Sequence, residues 1–191
     1  MSKKCIICGC GGIGSYFAAH IERLIELKQI VDFDFEFYDD DIVEYKNMLY
    51  QNFESGDLDM LKTEALSFKY FNMTFINKRL VEEDLKDCGL VILCADNNII
   101  REEAYNNFIN NKIPFIDSRA NGKTVGIFSS DTEDYLKTIS SSKESSSCQN
   151  PFQLVNKEIE YGNVVIASIL AQTILNYSRR KKLPTDLLLN I

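Results

Sequence analysis

Four glycines stand directly behind an apolar run near the start of the chain. Cys5–Cys8 leads into Gly9-Cys10-Gly11-Gly12-Ile13-Gly14, and a helical pattern follows. A backbone without Cβ atoms can turn tightly and come close to a phosphate, and the free N–H groups of the following helix then face it. The segment therefore points to a phosphate-bearing ligand, without separating NAD, FAD and ATP. The next strand ends in Asp39-Asp40-Asp41, where the same architecture places an acid against ribose hydroxyls. Asp39 and Asp41 are the candidates for that contact.

Other reactive side chains read more plainly. Cys5 and Cys8 form a CxxC by count, but neighbouring strand side chains alternate faces and do not converge on one ion. Cys88 and Cys94 flank or occupy a second apolar strand and read as buried thiols. Cys148 ends the serine-rich run Ser140–Ser147, expected to be a mobile loop. His20, the single histidine, falls in the first helix and reads as a surface or partly packed residue.

The elements that must position these residues follow from periodicity. Strands are expected at Lys4–Cys8, Phe33–Tyr38, Thr74–Ile76, Leu90–Ala95, Pro114–Asp117 and Val125–Ser129, with a turn at Asn121-Gly122. Helices are expected at Ile13–Leu27, Leu61–Tyr70, Ile99–Asn110 and Val164–Leu175, the last ended by the basic run Arg179–Lys182 and Pro184. Leu187–Ile191 reads as an apolar tail. Strand–helix alternation implies an α/β fold: a Rossmann-like, doubly wound, mostly parallel sheet with helices on both faces and some antiparallel strands in the C-terminal half. Residues 1–191 suit one domain with a mobile crossover loop at about 131–151.

Composition narrows the class. The chain is 45% hydrophobic and 26% charged, as in an ordinary globular protein. A net charge of −7 argues against a non-specific binder of nucleic acid or anionic membrane. No apolar run approaches the ~18 residues that span a bilayer, and no signal-peptide pattern opens the chain. A cytoplasmic protein with reduced thiols is expected.

Four ordered motifs carry more specific information. Asp39-Asp40-Asp41-Ile42-Val43-Glu44 is followed by Asn47-Met48-Leu49-Tyr50-Gln51, then by Leu61-Lys62-Thr63-Glu64-Ala65, then by Cys94-Ala95-Asp96-Asn97 and Arg101. In this order the sequence resembles the ThiF/MoeB/ubiquitin-activating family of adenylyltransferases. That family carries an acid-x-acid pair, Asn-Leu-x-Arg-Gln, Gly-x-x-Lys-Ala and Thr-Asp-Asn…Arg. The resemblance implies ATP and Mg²⁺. Gly9, Gly11, Gly12 and Gly14 would cradle phosphate, and Asp39 and Asp41 would stand at the ribose. Asn47, Gln51 and Asn97 would flank the nucleotide, Lys62 would face the phosphates, and Asp96 would hold the metal. Cys148 would be a thiol on the crossover loop, placed for thioester or persulfide chemistry. Arg101 is either a site residue, a surface charge or a helix-start ion pair.

The implied reaction activates the C-terminal carboxylate of a ubiquitin-like or sulfur-carrier protein, or of a peptide, as an acyl-adenylate. A homodimer or heterodimer is expected. Two departures matter. Tyr50 stands where the family has an arginine, and Lys46, Arg79 or Arg119 are the candidate replacements. Relatives also supply an arginine in trans from a helix before the first strand, and this chain opens on that strand. The alternative is a catalytically reduced subunit or binding module that needs a partner chain. An NAD-dependent dehydrogenase would use the glycine loop and Asp39 but leave Asn47, Gln51, Lys62 and Asp96 idle.

Overall fold

The computed structural model describes residues 2–139, 156 and 158–191. Its centre is one seven-stranded sheet. The strands are β1 (Lys3–Cys8), β2 (Phe33–Asp39), β3 (Thr74–Asn77), β4 (Leu90–Leu93), β5 (Phe115–Asn121), β6 (Thr124–Ser129) and β7 (Asp186–Asn190). They lie in the order β3-β2-β1-β4-β5-β6-β7. β1 to β5 run parallel, and β6 and β7 are antiparallel additions. The helices are α1 (Gly14–Glu26), α2 (Lys62–Ser67), α3 (Asn98–Asn111) and α4 (Gly162–Ser178).

Alternation along each strand feeds two cores. Cys5 and Ile7 of β1, Phe35 and Phe37 of β2, and Leu90 and Ile92 of β4 pack under α1, α2 and α4. Ile6, Val91, Leu93 and Phe115 face the opposite layer, which contains Ile100 and Ala104 of α3 and the buried Tyr135. Every residue of β4 is buried, as expected of a central parallel strand covered on both faces. Cys5 and Cys8 accordingly point into different layers, Cys5 into the first and Cys8 against the second.

Several boundaries differ from expectation for local reasons. The β5–β6 hairpin pairs Asn121 with Thr124, so its two-residue turn is Gly122-Lys123, one residue later than Asn121-Gly122. β5 also runs four residues past Asp117, because its far end pairs only with β6. The apolar tail Leu187–Ile191 joins the sheet as β7, pairing Val125 with Leu189 and Ile127 with Leu187. An edge strand with all but one residue exposed carries too weak a pattern to separate it from a tail. The serine run and Cys148 lie outside the described residues.

The strand order reverses between the paired strands β1 and β4, and a crevice lies beyond their C-terminal ends.

Candidate active site

The crevice is a cleft of about 650 Å³, a size suited to a nucleotide. Gly9, Gly11, Gly12, Asp39, Asp41, Asn47, Gln51, Lys62, Asp96 and Asn97 all line it. Gly14 does not. Its part is packing: a Cβ there would lie 1.9 Å from the Gly9 carbonyl oxygen. Gly9 makes the turn itself, at φ +100, pressed against the Cys94 backbone. Gly11 and Gly12 line the cleft beyond it, and among the described residues no acceptor engages their N–H groups.

The loop is held by the acid that follows β2. Asp39 accepts a hydrogen bond from Cys10 N at 2.6 Å and from Asp41 N at 2.9 Å. Burial pushes its carboxyl above the ordinary carboxylate range, opposed by nearby Lys62 and by those N–H donors. Sequence reasoning placed Asp39 at a ribose; the structure adds that it braces the glycine loop.

Lys62 is brought in by a short antiparallel crossing between residues 41–43 and 59–62. Ile42 bridges Leu61, and Lys62 N donates to the Asp41 carbonyl at 2.9 Å. Its ammonium then donates to the Asp41 carboxylate at 2.7 Å while its side chain is only 7% exposed. Burial opposes the charge on Lys62, but Asp39 and Asp41 outweigh it, and the pKa sits above the usual lysine value. This is not a solvated helix lysine.

A tight turn supplies the polar wall. Asn47 accepts from Glu44 N at 2.8 Å, and Gln51 N donates to the Asn47 carbonyl at 2.7 Å. Gln51 is buried, and among the described residues its Oε1 has no hydrogen-bond partner. A buried polar atom without a partner is uncommon and marks a place built for a ligand or water. The side chain stands over the loop, with Nε2 3.9 Å from where a Cβ on Gly11 would be.

On the opposite lip, Asp96 is exposed to the cleft, and Asn97 caps α3 by accepting from Ile99 N at 2.8 Å. Arg101 is neither in the cleft nor at the surface. It is buried, donating from Nε to Asp117 at 3.1 Å and from its other nitrogens to Ala95 O at 2.6 Å and to Asn98 at 2.8 Å. It thereby fixes the loop that presents Asp96. Arg119 shares Asp117 with it and lies over the Phe128 ring, outside the cleft. Of the candidate replacements for an arginine at position 50, only Lys46 and Arg79 line the cleft.

Charge is the unusual feature. Asp39, Asp40, Asp41, Glu44, Asp96 and Glu103 line the cleft against Lys46, Lys62 and Arg79. Each of these cations already faces an acid: Lys46 pairs with Glu44, Lys62 with Asp41, and Arg79 lies 3.9 Å from Asp40. The carboxylates of Asp39, Asp40 and Asp41 come within 4.8 Å of one another, and Asp96 is not part of that group. Hard oxygen ligands of this kind suit Mg²⁺.

One residue gave no signal in the sequence. Asn163, at the start of α4, is buried and donates to both Gly12 O, at 3.1 Å, and Tyr50 O. A single polar residue opening an apolar helix looks like an ordinary cap. His20, as expected, is partly packed, with Nε2 3.1 Å from Ser168 Oγ.

A family model for the ThiF family matches residues 1–189, and the chain belongs to the ThiF family. Its fold is shared with crystal structures of E. coli MccB, at 16% identity and a TM-score of 0.72 over 99% of this chain and 59% of that one. PaaA is similar at 15% identity and a TM-score of 0.70, over 99% of this chain and 61% of that one. MccB, a microcin C7 biosynthetic enzyme, has also been crystallised with ATP and with N-formylated MccA. The chain spans about six tenths of the length of these structures. No curated protein matches it. Among the described residues, no helix is long and apolar enough to cross a membrane.

Proposed function

We propose that the protein is an ATP-dependent adenylyltransferase that activates a carboxylate, at the C-terminus of a peptide or small protein, as an acyl-adenylate. The observation that carries this is the convergence on one cleft of the Gly11 and Gly12 N–H groups and the Gln51 amide oxygen, none of them partnered among the described residues, with buried Lys62. A dehydrogenase would need the loop and Asp39 alone.

In this reading the Gly11 and Gly12 N–H groups and Lys62 receive the phosphates, with Asn47 and Gln51 beside them. Asp39 and Asp41 stand at the ribose, and Leu80, Val81 and Ile99, which also line the cleft, offer the adenine an apolar wall. Asp96 is the residue that would hold Mg²⁺, with Asn97 beside it at the start of α3; a divalent cation there offsets phosphate charge in a cleft rich in carboxylates. The substrate carboxylate attacks the α-phosphorus, an acyl–O–P bond forms, and pyrophosphate leaves with its charge spread toward Lys62. Lys62 exchanges Asp41 for phosphate at that stage. The carboxylate can belong to a ubiquitin-like protein, a sulfur carrier or a peptide. MccB, which shares the fold, has been crystallised in complex with N-formylated MccA. Cys148 is the candidate thiol to take the acyl group from the adenylate, and Cys148→Ser should leave adenylate formation intact while abolishing any thioester.

The test is isotopic. A substrate carboxylate labelled with ¹⁸O should pass one label to AMP when the adenylate is resolved by a nucleophile. Unlabelled AMP would contradict attack by the carboxylate.

A second reading has its own support. Tyr50 brings no charge where the family has an arginine, and among the described residues every cation lining the cleft is paired with an acid of the same chain. A subunit that needs a second chain, in a homodimer or heterodimer, to supply positive charge fits those facts.

A further inference from the structure

We infer that Asn163 is a positioning residue that sets the spacing between the glycine loop and the Asn47–Gln51 turn, and so the fit of the cleft to a polyphosphate. The inference rests on the nucleotide reading above.

The glycine loop and the turn come from distant parts of the sequence, and both line the cleft. On one side they are joined through α1, where Asn52 N donates to Ser15 Oγ at 3.0 Å. On the other side they are joined through Asn163, whose single amide nitrogen donates to Gly12 O and Tyr50 O together. Both acceptors are carbonyls, so the nitrogen must face them, and the assignment of the amide is fixed by its partners. Asn163 is 1% exposed and does not line the cleft, so it acts only through the two backbones it holds.

Its own position is rigid. The preceding Gly162 is packed so closely on the β5–β6 turn that a Cβ would lie 2.0 Å from Gly122 O. Lys123 of that turn also lies 3.7 Å from Glu160. The start of α4 is therefore pinned to the sheet, and Asn163 carries that fixed position to the loop and the turn. A phosphate chain lying between Gly12 and Gln51 would meet donors at a separation that Asn163 determines.

The test uses Asn163→Asp, which keeps the shape but turns an oxygen toward two carbonyls, and Asn163→Ala. The control is Asn107→Asp, at another buried asparagine whose amide donates to Leu85 O away from the cleft. Hydrogen exchange is followed in peptides covering residues 9–14 and 47–51, and affinity for Mg²⁺–ATP is compared with affinity for adenosine. Both Asn163 variants should exchange about tenfold faster in the two peptides, while the control does not. Asn163→Asp should bind Mg²⁺–ATP about tenfold more weakly and adenosine nearly as wild type does. Unchanged exchange in both peptides, or a parallel fall for ATP and adenosine, would overturn the inference. If the wild-type chain binds neither ligand, the nucleotide reading fails, and the exchange data alone decide whether Asn163 is the brace.

Discussion

In the proposed reading the cleft's chemistry turns on Lys62, which among the described residues is the one deeply buried cation lining it. Its partner Asp41 has a side chain 67% exposed, so the pair contributes little to stability by itself. Lys62→Met keeps the buried stem and removes the charge. At neutral pH melting should fall modestly, because buried Asp39 loses the cation that opposes its desolvation, and Mg²⁺–ATP affinity should fall roughly ten- to a hundredfold, as calorimetry would read it. The same variant should move Asp39. Lys62 is the leading influence holding that buried carboxyl down, so its removal should raise the Asp39 pKa further, visible in carboxyl-carbon NMR titration. Tyr50 gives the converse experiment. Tyr50→Arg should tighten Mg²⁺–ATP binding and raise adenylation, since a guanidinium brings a charge and a forked donor that a phenol lacks. No gain in either would show that position 50 is not where charge is missing.

At the scale of elements, the sheet's centre isolates the thiols and one carboxylate. Burial pushes Cys5, Cys8 and Cys10 well above the ordinary thiol value and Cys88 to about 11. At neutral pH they are protonated and poor nucleophiles. In the folded chain these four should resist alkylation near neutral pH and all react in denaturant, as mass spectrometry would show. Asp117 is fully buried and binds Arg101, Arg119 and the Tyr135 hydroxyl. Asp117→Ala strands the buried Arg101 and should cost about 3–5 kcal/mol in urea unfolding, against no measurable loss for the exposed Arg23→Ala. Helices and central strands were legible in the sequence because Phe33, Phe35 and Phe37 alternate and Phe17 and Ile21 recur at helical spacing. The role of Arg101 was not, since its partner Asp117 is sixteen residues away on another element. β7 was not legible either, because an edge strand that buries little leaves little pattern.

Over the whole molecule, the residues that line the cleft were legible through motif order, and their partners were not. Asp39 as loop brace and Asn163 as tie depend on contacts across 29 and 151 positions, which no local pattern reports. A net charge of −7, with carboxylates outnumbering cations at the cleft, makes a neutral or basic substrate partner the better fit. In the proposed reading it also makes nucleotide binding dependent on cations from outside the chain. The central claim is that the cleft couples ATP to a carboxylate. Pyrophosphate exchange into ATP, with Mg²⁺ and a panel of peptides and small proteins ending in free carboxylates, tests it most directly. The account predicts exchange that needs the free carboxylate, vanishes when that terminus is amidated, and is lost in Lys62→Met. ATP that binds tightly yet exchanges no pyrophosphate with any carboxylate partner would contradict it.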